Sequence, residues 1–232
     1  DGLINMPTDP TGAHLLSAIG AGIPVVLVDR MLKPLAGRIS AVIVDNVDAA
    51  ETATRHLIDA GHTSIALILG NEDIFTTQKR REGYLNALRE HRIVPRDGLI
   101  RYSDYTMQGG YAAMKKLLAL SNRPTAAFVT NYEMTLGALI AVSEAKLAIP
   151  GDLSFIGFDK LDIFGDIYPN LTLIKQPQNA IGECVAKQLL ALLADGSALR
   201  QTIVLNTQLH AGATVQQILP GRSDAANGNE AD

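Results

Sequence analysis

A single cysteine, Cys184, is all the thiol chemistry in 232 residues, so an intramolecular disulfide is excluded. Its neighbours Val185, Leu189 and Leu192 put it on the apolar face of a helix, where a thiol packs as a small hydrophobe. Basic residues are not in surplus: 20 Lys and Arg against 24 Asp and Glu give a formal charge of -4. Because neutralising phosphates needs clustered cations, no nucleic-acid-binding surface is expected within these residues. Long apolar runs are missing, so no segment is expected to cross a membrane, and no charged start followed by a short apolar stretch marks a secretory signal. A glycine-rich phosphate cradle is missing too. Gly20-Ala21-Gly22 follows a helix and precedes a strand, the reverse of the order a dinucleotide fold needs, and reads as a helix stop. With no Gly-x-Ser-x-Gly elbow, His-Glu-x-x-His pair or Cys/His ligand set, no catalytic site, cofactor or metal is expected.

What the chain does have is 47% hydrophobic residues, enough for a sizeable core, in one large or two modest domains. Short apolar runs alternate with amphipathic stretches of helical length, the pattern of an α/β protein with parallel sheets. Strands are expected at 2–6, 24–29, 41–45, 64–70, 126–130, 154–159, 171–176 and 202–207, and helices at 12–20, 48–60, 77–91, 108–120, 132–147 and 179–194. In the second of these helices Ala49, Ala53, Leu57 and Ala60 form one stripe that stops at Gly61, a residue suited to a left-handed cap. Residues 221–232 are small, polar and acidic and read as a disordered tail.

Several apolar strands stop on a polar side chain: 24–28 on Asp29-Arg30, 41–44 on Asp45-Asn46, 126–130 on Asn131 and 154–158 on Asp159. Ligands of parallel sheets sit at the carboxyl ends of the strands, so a binding cleft is the first functional expectation. Asp159 there can accept two hydrogen bonds from vicinal hydroxyls, and Asn131 can both donate and accept; a helix-capping role is the alternative for either. Arg80, in Lys79-Arg80-Arg81-Glu82-Gly83-Tyr84, can fork onto hydroxyl or carboxylate oxygens, or lie on a solvated helix face. Tyr105 can stack under an apolar sugar face or a base ring, or fill core. His62 precedes its strand, at the end away from such a cleft, and is read as structural.

Three stretches, read in order, carry a resemblance: 56–66 (His-Leu-Ile-Asp-Ala-Gly-His-Thr-Ser-Ile-Ala), Arg80-x-x-Gly83-Tyr84-x-x-Ala87-Leu88, and Ile149-Pro150-x-Asp152-Leu153-Ser154-Phe155-Ile156-Gly157-Phe158-Asp159. With Asp1-Gly2-Leu3-Ile4, Ile23-Pro24-Val25-Val26-x-Val28-Asp29-Arg30 and Leu171-Thr172-x-x-x-Gln176-Pro177, the chain resembles the lactose and galactose repressor family. The resemblance implies the effector-binding core of a bacterial transcription repressor, built like the periplasmic sugar-binding proteins from two α/β lobes joined by three crossovers. On that template residues 1–45 and 177–206 form a partial N-terminal lobe, and 46–175 and 207–220 the C-terminal lobe. Arg80, Asn131, Asp159 and Tyr105 fall on family ligand positions, and Gln176 on the second crossover.

The family's helix-turn-helix headpiece, hinge helix and first two βα units have no counterpart in these residues. Operator DNA is therefore expected as a partner only through an absent N-terminal headpiece. The partners implied are a small-molecule effector, a sugar or sugar derivative, and a second copy in a homodimer, in the cytoplasm. The tetramerising helix of the lactose repressor has no counterpart after Pro220. A periplasmic binding component of a sugar importer is the alternative reading, and an α/β enzyme a more distant one.

Overall fold

The computed structural model describes residues 1–159 and 170–218; the tail expected at 221–232 lies outside them. Two sheets organise the chain. The first contains β1 (Leu3–Asn5), β2 (Val25–Val28), β3 (Ser40–Val44) and β9 (Thr202–Leu205), in that order and all parallel. The second has the order β10-β8-β7-β6-β4-β5, from Gln208–His210, Thr172–Lys175, Ser154–Phe158, Ala126–Val129, Ile65–Leu69 and Ile100–Tyr102. Its pairs are parallel except for β10, which runs antiparallel to β8.

The helices are α1 (Leu16–Gly20, preceded by a tight turn at Ala13–Leu15), α2 (Asn46–Asp59), α3 (Phe75–Glu90), α4 (Met107–Leu118), α5 (Tyr132–Glu144) and α6 (Gln178–Ala194). Side chains on a strand alternate between faces, which explains why the second sheet reads as continuous apolar runs. Ile65, Leu67 and Leu69 of β4 and Phe128 of β6 pack on one side with Ala49, Ala53 and Leu57 of α2 and Tyr84 and Leu88 of α3. Ala66, Ile68, Ala127 and Val129 pack on the other, with Met114 and Leu117 of α4 and Ala138 and Val142 of α5. The first sheet divides likewise: Val25, Leu27, Ala41 and Ile43 meet Leu15, Leu32 and Leu35 on one face, while Val26 and Val42 meet Val185 and Leu192 of α6 on the other. Cys184 packs, half-buried, against that last cluster.

The chain passes between sheets three times: at Asp45 after β3, at Gln176-Pro177 after β8, and at Asn206-Thr207 after β9. The Asp45 N–H donates to the Leu205 carbonyl at 3.0 Å, tying the first passage to the third.

Most of the expected elements are present, with informative exceptions. β5 and β10 went unpredicted because each is only three residues long and lacks an apolar run. Helix α2 starts at Asn46 rather than 48, since Asp45 caps it by accepting from the N–H groups of Val47 and Asp48. Helix α5 stops at Glu144 rather than 147, where Lys146 takes the left-handed backbone that ends helices (φ 56°). Gly22 and Gly61 both take that conformation, as helix stops do.

Candidate functional site

β6, β7 and β8 run parallel, so their carboxyl ends share one end of the second sheet, and Asp29, after β2 of the first sheet, acts on Arg80 and Asp159 there. Asp159 comes directly after β7 and Asp29 directly after β2, both left-handed (φ 66° and 67°), and Tyr105 in the β5–α4 loop is left-handed as well (φ 66°). Such backbones are uncommon for residues other than glycine and cluster where a side chain has to be aimed.

Arg80, one turn into α3, is 5% exposed. Its Nε donates to Asn46 Oδ1 at 2.8 Å, one terminal nitrogen donates to the Thr130 carbonyl, and its Cζ lies over the Phe158 ring, 3.7 Å from the centroid. Burial pushes the guanidinium downward, and the carboxylates of Asp29 and Asp159 oppose that shift. A guanidinium so flanked stays a cation.

Asp159 is held by the Gln176 side-chain amide, which donates to its two carboxylate oxygens at 2.9 and 3.0 Å, while its own N–H donates to the Ile174 carbonyl at 2.8 Å. Burial raises its carboxyl above the ordinary range; Arg80 and Gln176 pull it back, and Asp29, from the other sheet, raises it further. The site therefore holds a carboxylate that lacks solvation and gains from any hydroxyl that donates to it.

Tyr105 lies flat against Gly70 just after β4, where a Cβ would come within 2.1 Å of the ring, so a larger residue at 70 would displace the ring. Its hydroxyl shares hydrogen bonds with Thr77 Oγ1 at 2.6 Å and Thr76 Oγ1 at 3.3 Å. The Arg30 guanidinium stands over the ring, 5.2 Å from the centroid. Arg30 in turn pairs with Asp29 at 3.4 Å and donates to the Pro7 carbonyl at 3.1 Å. Thus a cation from the first sheet covers an aromatic that belongs to the second.

Asn131 follows Thr130 at the end of β6 and accepts from the Met134 N–H at 3.0 Å, so its oxygen caps α5. The five residues picked out from the sequence thus stand at one end of the second sheet. Asp29 and Arg30 were visible in the same strand-end pattern but not singled out. Asn46, Thr76, Thr77 and Phe158 carried no signal, because their roles depend on contacts between distant elements. His62 is buried at the other end of β4, its Nδ1 3.0 Å from Thr125 Oγ1.

Beside this cluster a cavity of about 360 Å³ opens between the sheets, lined by Pro7, Pro10, Arg30, Met31, Leu32, Lys33, Pro34, Asp73, Ile74, Phe75 and Gln78. Among the described residues, no group of three or more His, Cys, Asp or Glu can hold a metal ion, and no helix is long and apolar enough to cross a membrane.

The model of the periplasmic binding protein-like domain matches residues 54–215. Over 219 residues the chain is 32% identical to the probable HTH-type transcriptional repressor ExuR of Bacillus subtilis, covering 94% of this chain and 65% of that protein. Over 205 residues it is 35% identical to catabolite control protein A of Priestia megaterium, covering 88% and 61%. The chain thus spans somewhat less than two thirds of the length of these relatives. Among solved structures, the transcription regulator CcpA of Lactococcus lactis superposes with a TM-score of 0.85 at 26% identity, covering 93% of this chain and 78% of that one. A LacI family transcriptional regulator from Enterococcus faecium with bound ribose gives 0.82 at 28% identity, covering 94% and 81%.

Proposed function

We propose that this chain, which belongs to the lactose and galactose repressor family, is the effector-binding core of a transcription regulator that closes around a small hydroxylated metabolite. In this reading residues 1–45 and 177–206 form one lobe and 46–175 and 207–220 the other, a division supported by the membership of the two sheets. The ligand lies between them, held by Arg80, Asp159, Gln176, Asn131 and Tyr105. In the intact protein, closure would be transmitted to a DNA-binding headpiece, in the cytoplasm and as a homodimer.

One observation carries the proposal: a half-buried carboxylate and a buried guanidinium, Asp159 and Arg80, lie beyond strand ends of one sheet and feel the Asp29 carboxylate from the other. A molecule whose hydroxyls donate to Asp159 and accept from Arg80 relieves both desolvation costs. A ligand that touches both lobes stabilises the closed arrangement by its differential contacts and shifts a hinge equilibrium. A difference of about 1 to 3 kcal/mol between the two states suffices for a roughly 5- to 150-fold change in operator affinity.

Thermal denaturation with a panel of pentoses and hexoses tests this. A bound sugar at about a hundred times its Kd adds about 2.7 kcal/mol, raising the Tm by roughly 5 to 10 °C. Asp159→Ala should remove that shift while leaving the ligand-free Tm close to that of the parent. A shift that survives the substitution would reject the assignment.

A further inference from the structure

Resting on the two-lobe reading, the cavity between the sheets bears on how the lobes hold together. Its walls come from opposite sheets: the loops after β1 and β2 supply one, with Arg30, Leu32 and Lys33, and the residues that lead into α3 supply the other. The walls already meet at one point. Phe75, the first residue of α3, packs half-buried against the first-sheet cluster of Leu15, Leu32 and Leu35.

Each wall also presents one exposed charge to the cavity, Lys33 from the first and Asp73 from the second. Arg30, the other cation lining it, is engaged by Asp29, the Pro7 carbonyl and the Tyr105 ring. Among the described residues neither Lys33 nor Asp73 belongs to an ion pair. The backbone beneath each charge is fixed. Lys33 opens a tight turn, Lys33–Leu35, in which Pro34 sets the backbone and Leu32 and Leu35 on either side are buried in the core. Asp73 donates its N–H to Asn71 Oδ1 at 3.1 Å, and the next N–H, of Ile74, donates to the Asn71 carbonyl at 3.2 Å. With both loops held, the approach of the two charges follows the approach of the lobes.

We infer that Lys33 and Asp73 form an ion pair across this cavity when the lobes close, a latch that works beside the apolar contact of Phe75. It acts on the closed state alone, because opening separates the charges and water screens what attraction is left. An exposed pair of this kind favours closure about two- to fivefold, enough to set the resting position of a hinge without locking it.

Carbodiimide, which joins an amine to a carboxylate only where the two touch, tests this on the 232-residue chain, with peptide mass spectrometry as the readout. Lys79 and Glu82, 2.8 Å apart on one turn of α3, serve as the internal standard. A Lys33–Asp73 product is expected. Its yield relative to the standard should fall about two- to fivefold between low and roughly 0.5 M salt, since an exposed pair between lobes is screened while neighbours on one helix turn stay close. Exchanging the charges, Lys33→Asp with Asp73→Lys, should preserve the product, and Asp73→Glu should retain it if the exchanged protein melts early. A missing product while the standard reacts, a yield indifferent to salt, or loss of the product in variants that keep opposite charges would overturn the latch. Failure of the ligand reading is separate. A pentose or hexose that raises the Tm should raise the yield in the parent and leave it unchanged in Asp159→Ala. No rise in the parent would count against the latch, whereas a rise that persists in Asp159→Ala would refute the ligand assignment and uphold the latch.

Discussion

If Asp159 holds the ligand as proposed, its side chain couples binding to pH. Its folded-state carboxyl titrates above the ordinary value of 3.8 because of burial, so the ligand-free fold favours the protonated acid. That contribution to stability is fully present below 3.8 and is lost as pH rises through the raised value. Sugar hydroxyls donate to the ionised form, so affinity should fall as pH drops through the same range. Titrations at several pH values should show this slope in the parent and its loss in Asp159→Asn. Arg80 is the complementary case, since a lysine can neither fork from Asn46 to Thr130 nor stack on Phe158. Arg80→Lys should cost about 1.5 to 3 kcal/mol of ligand affinity, measured by the same titrations. His62 carries an opposite dependence. Its imidazole is driven below the ordinary 6.5 by burial, against an opposing hydrogen bond to the Gln216 backbone. Its contribution is whole above 6.5 and is lost as pH falls through the lowered value, so denaturant midpoints should decline there in the parent and stay flatter in His62→Asn.

At the scale of elements, two devices place the site. Helix α2 is fixed at its start by Asp45, whose carboxylate accepts from Val47 and Asp48 at 3.1 and 3.0 Å. That cap sits on the first passage between the sheets and next to Asn46, the acceptor for Arg80. Asp45→Ala should therefore cost about 1 kcal/mol in urea denaturation. Helices α4 and α5 approach so closely that a Cβ on Gly137 would meet the Met107 carbonyl oxygen at 1.8 Å, and one on Gly110 the Met134 oxygen at 2.3 Å. Asn131 caps α5 and Tyr105 immediately precedes α4, so this contact fixes the spacing of two candidate ligand residues. Gly137→Ala should cost about 1 to 3 kcal/mol of stability by pushing the helices apart, again read from urea denaturation.

For the whole molecule, the contact of interest is the one that spans the sheets. Arg30 covers Tyr105 from the opposite side of the cleft, at a distance where a cation and a ring attract by about 0.5 to 2 kcal/mol. A sugar that stacks on Tyr105 has to displace it, because the other face of the ring is closed by Gly70. On the proposed reading, Arg30 occupies the place a stacked sugar would take and favours closure in the ligand-free protein. Removing it in Arg30→Ala should shift the open-to-closed ratio about fivefold toward open for a contact near 1 kcal/mol. Small-angle scattering would show this as a larger radius of gyration without ligand and an unchanged one with it. An unchanged ligand-free radius would leave the Arg30–Tyr105 contact without a role in closure.

The amino-acid sequence alone determined the α/β class, most of the elements and the strand ends on which Asp159 and Asn131 stand. These follow from local periodicity and turn chemistry: a strand buried on both faces has to be an apolar run, and its polar successor marks where it emerges. Short edge strands such as β5 and β10 left no such trace, since pairing on one side makes few demands on composition. Only the tertiary structure decided that Arg80 leaves its solvated-looking charge run to lie buried on Phe158, that Gln176 holds Asp159, and that Arg30 covers Tyr105. Those outcomes depend on distances between segments up to 78 residues apart, set by the packing of helices on sheets. No pattern along the chain encodes them.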